Sequence, residues 1–533
     1  MTIGHVDLGE TLRRMASRDQ PRSEANVQSD LHIFLLSAPL SLQEADLQDR
    51  TITLEQQAGS RRRIDVEVGS CVFEVKRDLR PGNVREDAVD QLDHYVLART
   101  ESMRRRYVGV LTDGAEWHVY RRSSKGLELT SSLLVDTKSP DVNGLVVWLE
   151  SVLSTAREVV PTPREIESRL GSNSPGHKLD FEELFDIYTR HQELPTVKLK
   201  RELWARLLTT AYGTGFRDDD TLFVEHTLLV AVAEIIAHAV MGLNPTDPAV
   251  SARAILSGEL FSASQVHGVV ESDFFDWPVE VPEGGSFIKS LARRIARFSW
   301  RDVEHDVLKV LYESVISAAQ RKQLGEYYTP DWLADRVADL VVKDPLGQRV
   351  LDPSCGSGTF LFHAVRKYLQ AADVGELSNS EALEGVTSRV LGMDLHPVAV
   401  TFARVTYLLA IGPDRLRAAD RPAISVPVYL GDSIQWGQER TLFTADHLVV
   451  PTGGDHLWAR DLRFPRHLLD DAGRFDRLVS ELSDLASSGE SHEGSNKSAD
   501  ALLRRHGIRG AVSYTHLRAH ETKANLVCRL LLE

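Results

Sequence analysis

Beyond about residue 320, apolar positions switch between two periods. RVLDPSCGSGTFLFHAVRKYL reads as a short strand, a glycine turn and a helix. RVLGMDLHPVAVTFARVTYLLAI repeats strand then helix, and VPVYLGDSI reads as a third strand. Strands alternating with helices predict an α/β fold around a parallel sheet. Between residues 178 and 317 the spacing is mostly helical, as in ELWARLLTTAYG and SLARRIARF. Residues 1–158 mix a helix, several short strands and further helices. The stretch AREVVPTPREIESRLGSNSPGH, with its prolines, glycines and serines, predicts a linker, and ASSGESHEGSNKSA (486–499) a flexible polar segment. No internal repeat is visible. The pattern thus predicts an N-terminal domain at 1–158, a linker at 159–177, a helical connector at 178–319 and an α/β domain at 320–510.

Composition narrows the class. The chain has 533 residues, 42% of them hydrophobic, which excludes a wholly disordered protein. Three cysteines without paired spacing exclude a disulfide framework and a zinc ribbon, and predict a reducing compartment. MTIGHVDLGETLRRMASRDQ lacks the apolar core of a signal peptide. FVEHTLLVAVAEIIAHAVMG approaches membrane-span length, but Glu225, His226, Glu234 and His238 interrupt it, so a buried helix is expected. A cytoplasmic protein with no membrane partner follows. The formal charge of -15 argues weakly against a coat of nucleic acid and leaves room for local basic patches. Arginine clusters at Arg61-Arg62-Arg63, Arg104-Arg105-Arg106 and Arg121-Arg122 read either as solvated faces or as phosphate contacts.

The densest candidate chemistry lies in Asp352-Pro353-Ser354-Cys355-Gly356-Ser357-Gly358, where a strand ends in a carboxylate and glycines turn the chain into a helix. Side-chain-free positions let a ligand approach the backbone. A dinucleotide fingerprint would need a further glycine where Leu361 stands, and the Asp-Pro start would repel a pyrophosphate. That turn favours S-adenosylmethionine over NAD, with an ordinary glycine-rich turn as the alternative. Asp394 ends the next strand, placed to accept from ribose hydroxyls, and Asp432 ends the third, placed for an adenine amino group. Three acids at successive strand ends line the crevice where open α/β sheets bind ligands. Cys355 reads either as a nucleophile or as a small turn residue.

At these residues the chain resembles the N6-adenine DNA methyltransferases of restriction–modification systems. Arg321-Lys322-Gln323-Leu324-Gly325-Glu326-Tyr327-Tyr328-Thr329-Pro330 resembles that family's opening motif. The resemblance implies a Rossmann-like class I methyltransferase fold and S-adenosylmethionine as cofactor. It assigns Tyr328, Thr329 and Pro330 to the methionine part, and Asp352, Pro353, Gly356 and Gly358 to the main loop. Asp394 would hold the ribose and Asp432 the adenine.

A second constellation lies upstream. Arg63-Ile64-Asp65-Val66-Glu67-Val68, a turn at Gly69 and Cys71-Val72-Phe73-Glu74-Val75-Lys76 predict a hairpin with Glu74 and Lys76 on one side. Asp65 and Glu74 are candidate ligands for a hard cation such as Mg2+, with Lys76 orienting water or stabilising developing phosphate charge. The pattern resembles the PD-(D/E)xK nuclease fold, with Ile64-Asp65 in place of Pro-Asp. That resemblance also implies roles for Glu24 on an earlier helix and Gln91 on a later one.

The methyltransferase family places Asn/Asp-Pro-Pro-Tyr/Phe after a fourth strand, where it grips a flipped adenine. No such tetrapeptide occurs in this sequence, nor is a target-recognition domain visible. Val512-Ser513-Tyr514-Thr515-His516-Leu517-Arg518-Ala519-His520-Glu521-Thr522 resembles the in-frame translation of a transposase-library sequencing adapter. The authentic chain is therefore expected to end near Gly510, with a truncated methyltransferase domain and an artefactual 511–533. The parent resembles the type IIG restriction–modification class: a nuclease joined through a helical connector to an adenine methyltransferase, acting on double-stranded DNA. A specificity subunit or self-association stays open. The alternatives are a methylation-only phage-defence enzyme whose nuclease-like module binds DNA without cutting, and a non-enzymatic DNA-binding scaffold.

Overall fold

The computed structural model describes residues 7–19, 21–40, 52–57, 63–103, 107–123, 126–153, 159–212, 216–300, 303, 306–317, 321, 328–431, 433, 447–450, 462–465, 478, 481 and 505. The chain divides into two compact units, Met1–Thr189 with Lys289–Ser317, and Arg190–Ile288 with Ala318–Glu533. The predicted connector at 178–319 is therefore not a unit of its own; its two ends belong to the first unit and its middle to the second.

The first unit is built on one sheet. Its strands are β1 (Ile52–Gln57), β2 (Arg63–Val68), β3 (Cys71–Val75), β4 (Val108–Thr112), β5 (Glu116–Ser123) and β6 (Gly126–Leu134), ordered as in the chain. Neighbours are antiparallel except β3 and β4, which are parallel and joined by the crossover helix Val84–Met103. Gly69, at φ +59°, closes the predicted β2–β3 hairpin in a conformation that other residues rarely adopt. Alternating side chains supply two cores. Val66, Phe73 and Trp117 pack with the helices Glu24–Ser37 and Val142–Leu153, while Val72 and Leu111 pack with Leu92 and Tyr95 of the crossover helix. That helix lies so close to β4 that a Cβ on Gly109 would come within 2.7 Å of the Leu92 side chain.

The predicted linker at 159–177 is largely helical. Thr162 caps the helix Pro163–Leu170 by accepting from the Glu165 N–H, and Pro163 sits where a missing N–H costs nothing. Proline and serine are thus helix-start signals here. The returning segment is tied in by the Val159–Phe298 bridge and by Arg294, which donates to the Asp180 carboxylate (2.9 Å) and the Ser151 carbonyl (2.9 Å).

In the second unit, β8 (Val350–Asp352), β9 (Val390–Asp394) and β11 (Val428–Leu430) form a parallel sheet in the order β11-β9-β8. Short pairs β7 (Val266–His267) with β10 (Ile424–Ser425), and β12 (His447–Val450) with β13 (Leu462–Pro465), complete its described strands. Among the described residues β8 is an edge strand, and Leu351 on it is 60% exposed. Helices Thr359–Val374 and Pro397–Ile411 follow β8 and β9, as the strand–helix alternation predicts. The helix Asp220–Met241 is the one described helix long and apolar enough to cross a membrane; 89% of its apolar window is buried, and Pro397–Ile411 packs along it.

Candidate functional site

The second unit concentrates its chemistry where β8 and β9 end. The apolar runs Val350-Leu351 and Val390-Leu391 place Asp352 and Asp394 at the ends of adjacent parallel strands. After Asp352 the chain turns through Gly356 (φ +52°) and Gly358 (φ +94°) into the helix Thr359–Val374. A Cβ on Gly358 would stand 3.0 Å from the Ala403 Cα, so the loop is pressed onto the helix Pro397–Ile411. A Cβ on Gly356 would meet only the Tyr328 ring, at 3.7 Å. Tyr328 is thereby brought to the glycine loop, while Pro330 precedes the helix Asp331–Val341 as its N-cap, with Thr329 between them.

The two acids differ in what they hold. Asp394 Oδ2 accepts from the Gly356 N–H (2.8 Å) and Oδ1 from the His396 N–H (2.9 Å), so this carboxylate clamps both loops. Burial raises its pKa against those backbone donors. Asp352 Oδ1 accepts from the Ser354 N–H (3.2 Å), but its Oδ2 is buried with no hydrogen-bond partner among the described residues. Burial, and secondarily Asp394, raises the Asp352 carboxyl above its ordinary range. A buried acceptor without a donor is costly unless a ligand supplies one. Pro353 is exposed beside it. Cys355 is buried, and burial pushes its thiol well above the usual range, so it is a packed turn residue. Asp432 lies outside the described residues, as do Tyr327, the 486–499 segment and the 511–533 tail.

In the first unit the β2–β3 hairpin gathers the other set. The Asp65 carboxylate accepts from the Val75 N–H (2.8 Å), which lays it against the strand that carries Glu74. Glu74 is fully buried, and Lys76 donates to its Oε1 (2.5 Å) while lying 3.6 Å from Glu24. Glu74 Oε2 has no hydrogen-bond partner among the described residues. Burial first and the Asp65 charge second push Glu74 up to about 7, against the pull of Lys76. Burial opposes the Lys76 charge, yet Glu74, Glu24 and Asp65 together hold its pKa above the ordinary value. Gln91 donates instead to the Tyr95 hydroxyl (2.6 Å). Tyr95 is pushed up by burial and, more weakly, by the charges of Glu74 and Asp65, against the Gln91 hydrogen bond. Sequence reasoning missed Tyr95; its one available signal was a helical spacing of four from Gln91. Gln28, donating to the Asp65 carbonyl (2.8 Å), was missed too. Among the described residues no group of three or more His, Cys, Asp or Glu is placed to hold a metal.

Of the predicted basic clusters, Arg121 and Arg122 are engaged in ion pairs. Arg121 is buried in ion pairs with Glu128, Glu182 and Asp186, and Arg122 pairs with Asp93 (2.9 Å). Neither is a free phosphate contact.

Comparison with known proteins bears on the second site. Residues 303–410 match the family model "N-6 DNA Methylase". The adenine-specific methyltransferase PglX of Streptomyces coelicolor is 26% identical over 147 residues, covering 25% of this chain and 12% of that protein. The cryo-electron microscopy structure of a DrdV–DNA complex has a TM-score of 0.31 at 14% identity, covering 80% of this chain and 40% of that one. A nuclease-deletion mutant of the type ISP restriction–modification enzyme LlaGI, bound to a DNA substrate mimic, has a TM-score of 0.30 at 12% identity, covering 62% of this chain and 27% of that one. The chain thus spans less than half the length of each of these proteins, and the part that contains the glycine loop and both strand-end acids lies within the residues, 303–410, that match the N-6 DNA methylase model.

Proposed function

We propose that the second unit binds S-adenosylmethionine as the cofactor half of a DNA adenine N6-methyltransferase with a Rossmann-like class I fold. The observation that carries this reading is the clamp of Asp394 on the Gly356 loop, beside a buried, unpartnered Asp352 oxygen, inside the N-6 DNA methylase match. The residues present fit that cofactor. Asp352 offers an acceptor to a hydroxyl or ammonium donor, and its charge suits a sulfonium better than a phosphate. Gly356 leaves the backbone open beneath Tyr328. When bound, the cofactor supplies an electrophilic methyl on sulfur. The protein's part is positioning: Asp352 and Asp394 fix the nucleoside, Tyr328 and Thr329 flank its methionine end, and Asp432 is assigned to the adenine. Because the sequence has no Asn/Asp-Pro-Pro-Tyr/Phe, the proposal gives this chain cofactor binding and no grip on the target base. Calorimetry tests it. The chain should release heat with S-adenosylmethionine, and Asp352→Ala should abolish it; equal heats would overturn the assignment.

We further propose that the first unit is a Mg2+-dependent nuclease of the PD-(D/E)xK kind, so that the parent resembles a type IIG restriction–modification enzyme acting on double-stranded DNA. Support comes from Glu74, whose orphaned buried oxygen lies among Asp65, Lys76 and Glu24. Asp65 and Glu74 would hold the cation, which would supply Lewis acidity at the scissile phosphate. Lys76 is placed to hold a proton or charge beside it, and Gln91 orients Tyr95. A methylation-only enzyme with a non-cutting module is the second reading. It is favoured by Lys76 being bonded to Glu74 and by the absence of a three-ligand metal group among the described residues. With Mg2+ and double-stranded DNA, cleavage that disappears in Lys76→Ala supports the nuclease; binding without cleavage supports the second reading.

A further inference from the structure

The Asp394 clamp is itself held from the helices of residues 190–288. His396, two residues beyond Asp394, donates its backbone N–H to the Asp394 carboxylate (2.9 Å), and the same carboxylate receives the Gly356 N–H (2.8 Å). Where residue 396 sits therefore decides where the glycine loop sits. The His396 side chain is buried and caps the helix Pro397–Ile411, its Nδ1 accepting from the Ala399 N–H (3.4 Å). Its ring meets the His226 ring edge-to-face, centroids 5.1 Å apart at 84°, and the Tyr212 ring at 5.9 Å.

His226 comes from the middle of the helix Asp220–Met241, an otherwise apolar face where a leucine would pack at lower cost. It is fully buried, and its Nδ1 accepts from the indole N–H of Trp204 (3.2 Å), on the helix Pro195–Tyr212. An acceptor at Nδ1 puts the proton on Nε2 of a neutral ring and fixes the ring's rotation. Burial depresses both imidazoles, His396 down to about 3, so the pair stays neutral and edge-to-face through the physiological range.

We propose that His226, oriented by Trp204, is a positioning residue for the cofactor site, setting the Asp394 loop through His396. The inference rests on the S-adenosylmethionine reading of that site. It makes the 190–288 helices a working part of the cofactor pocket in place of a passive connector.

The test is a double-mutant cycle read by calorimetric Kd for S-adenosylmethionine on the full chain, with Tm measured alongside. His226→Leu should weaken binding about tenfold, a typical coupling for groups in one network. Trp204→Phe, which keeps an aromatic ring, though a smaller one, and loses the donor, should do the same and serves if the leucine variant fails to fold. In an Asp394→Asn background either substitution should add no further loss, because the chain of contacts is already broken at its end. In an Asp352→Ser background, outside that chain, the loss should multiply. Multiplicative loss with Asp394→Asn, or an unchanged Kd in both single variants, overturns the proposal while leaving the cofactor site standing. No heat from the unsubstituted chain overturns both.

Discussion

Gly358 shows how far one residue constrains this site. Its φ of +94° strains any side chain, and the 3.0 Å approach of a would-be Cβ to the Ala403 backbone forces that neighbour to give way. Gly358→Ala should lower stability by about 1–3 kcal/mol and weaken S-adenosylmethionine binding with it, measured by thermal unfolding and calorimetry. Wild-type stability in that variant would mean the loop adopts another path. The residues that recur as motifs were legible in the sequence: Asp352, Gly356, Gly358 and Asp394, and in the first unit Asp65, Glu74 and Lys76. What the sequence hid were partners that carry no motif. Tyr95 and His226 look like ordinary core residues until the structure shows Gln91 bonded to one, a turn away on the same helix, and Trp204 to the other. Nor does a pattern of letters show that Asp394 spends both oxygens on backbone N–H groups.

Among elements, the 3-10 helix Phe274–Glu280 carries a pH-dependent strain. Asp273 caps it by accepting from the Phe275 N–H (2.6 Å), and burial, then Asp276, pushes the Asp273 carboxyl up to about 7. A carboxyl raised in the folded state adds stability that is complete below its ordinary range and is lost as pH rises through about 7. Asp273→Asn keeps the acceptor and drops the charge. Its Tm should exceed that of the unsubstituted chain at pH 8, and the gap should shrink as pH falls through about 7 and close only near the ordinary carboxyl range; a gap independent of pH would show that burial does not act on this group. Element types were readable where periodicity was long, as in the strand–helix repeats beyond residue 349. They were misread at 159–177, because Pro163 and Ser174 start helices as readily as they furnish linkers.

On the scale of the whole molecule, the division into units followed contacts that sequence proximity cannot reveal. Val159 pairs with Phe298, Arg294 reaches Asp180, and the helix Val307–Val315 packs on Pro163–Leu170. A fragment of residues 1–189 would therefore lack its own closing segment. It should melt lower than the same fragment joined by a flexible linker to 289–317, and equal Tm values would show the returning segment to be dispensable. The discontinuity also dictates a timetable. A ribosome reading this message delivers residues 190–288 before the stretch that closes the earlier unit. The module proposed to cut DNA then stays unfinished until the helices proposed to brace the methyl-donor pocket have already been synthesised.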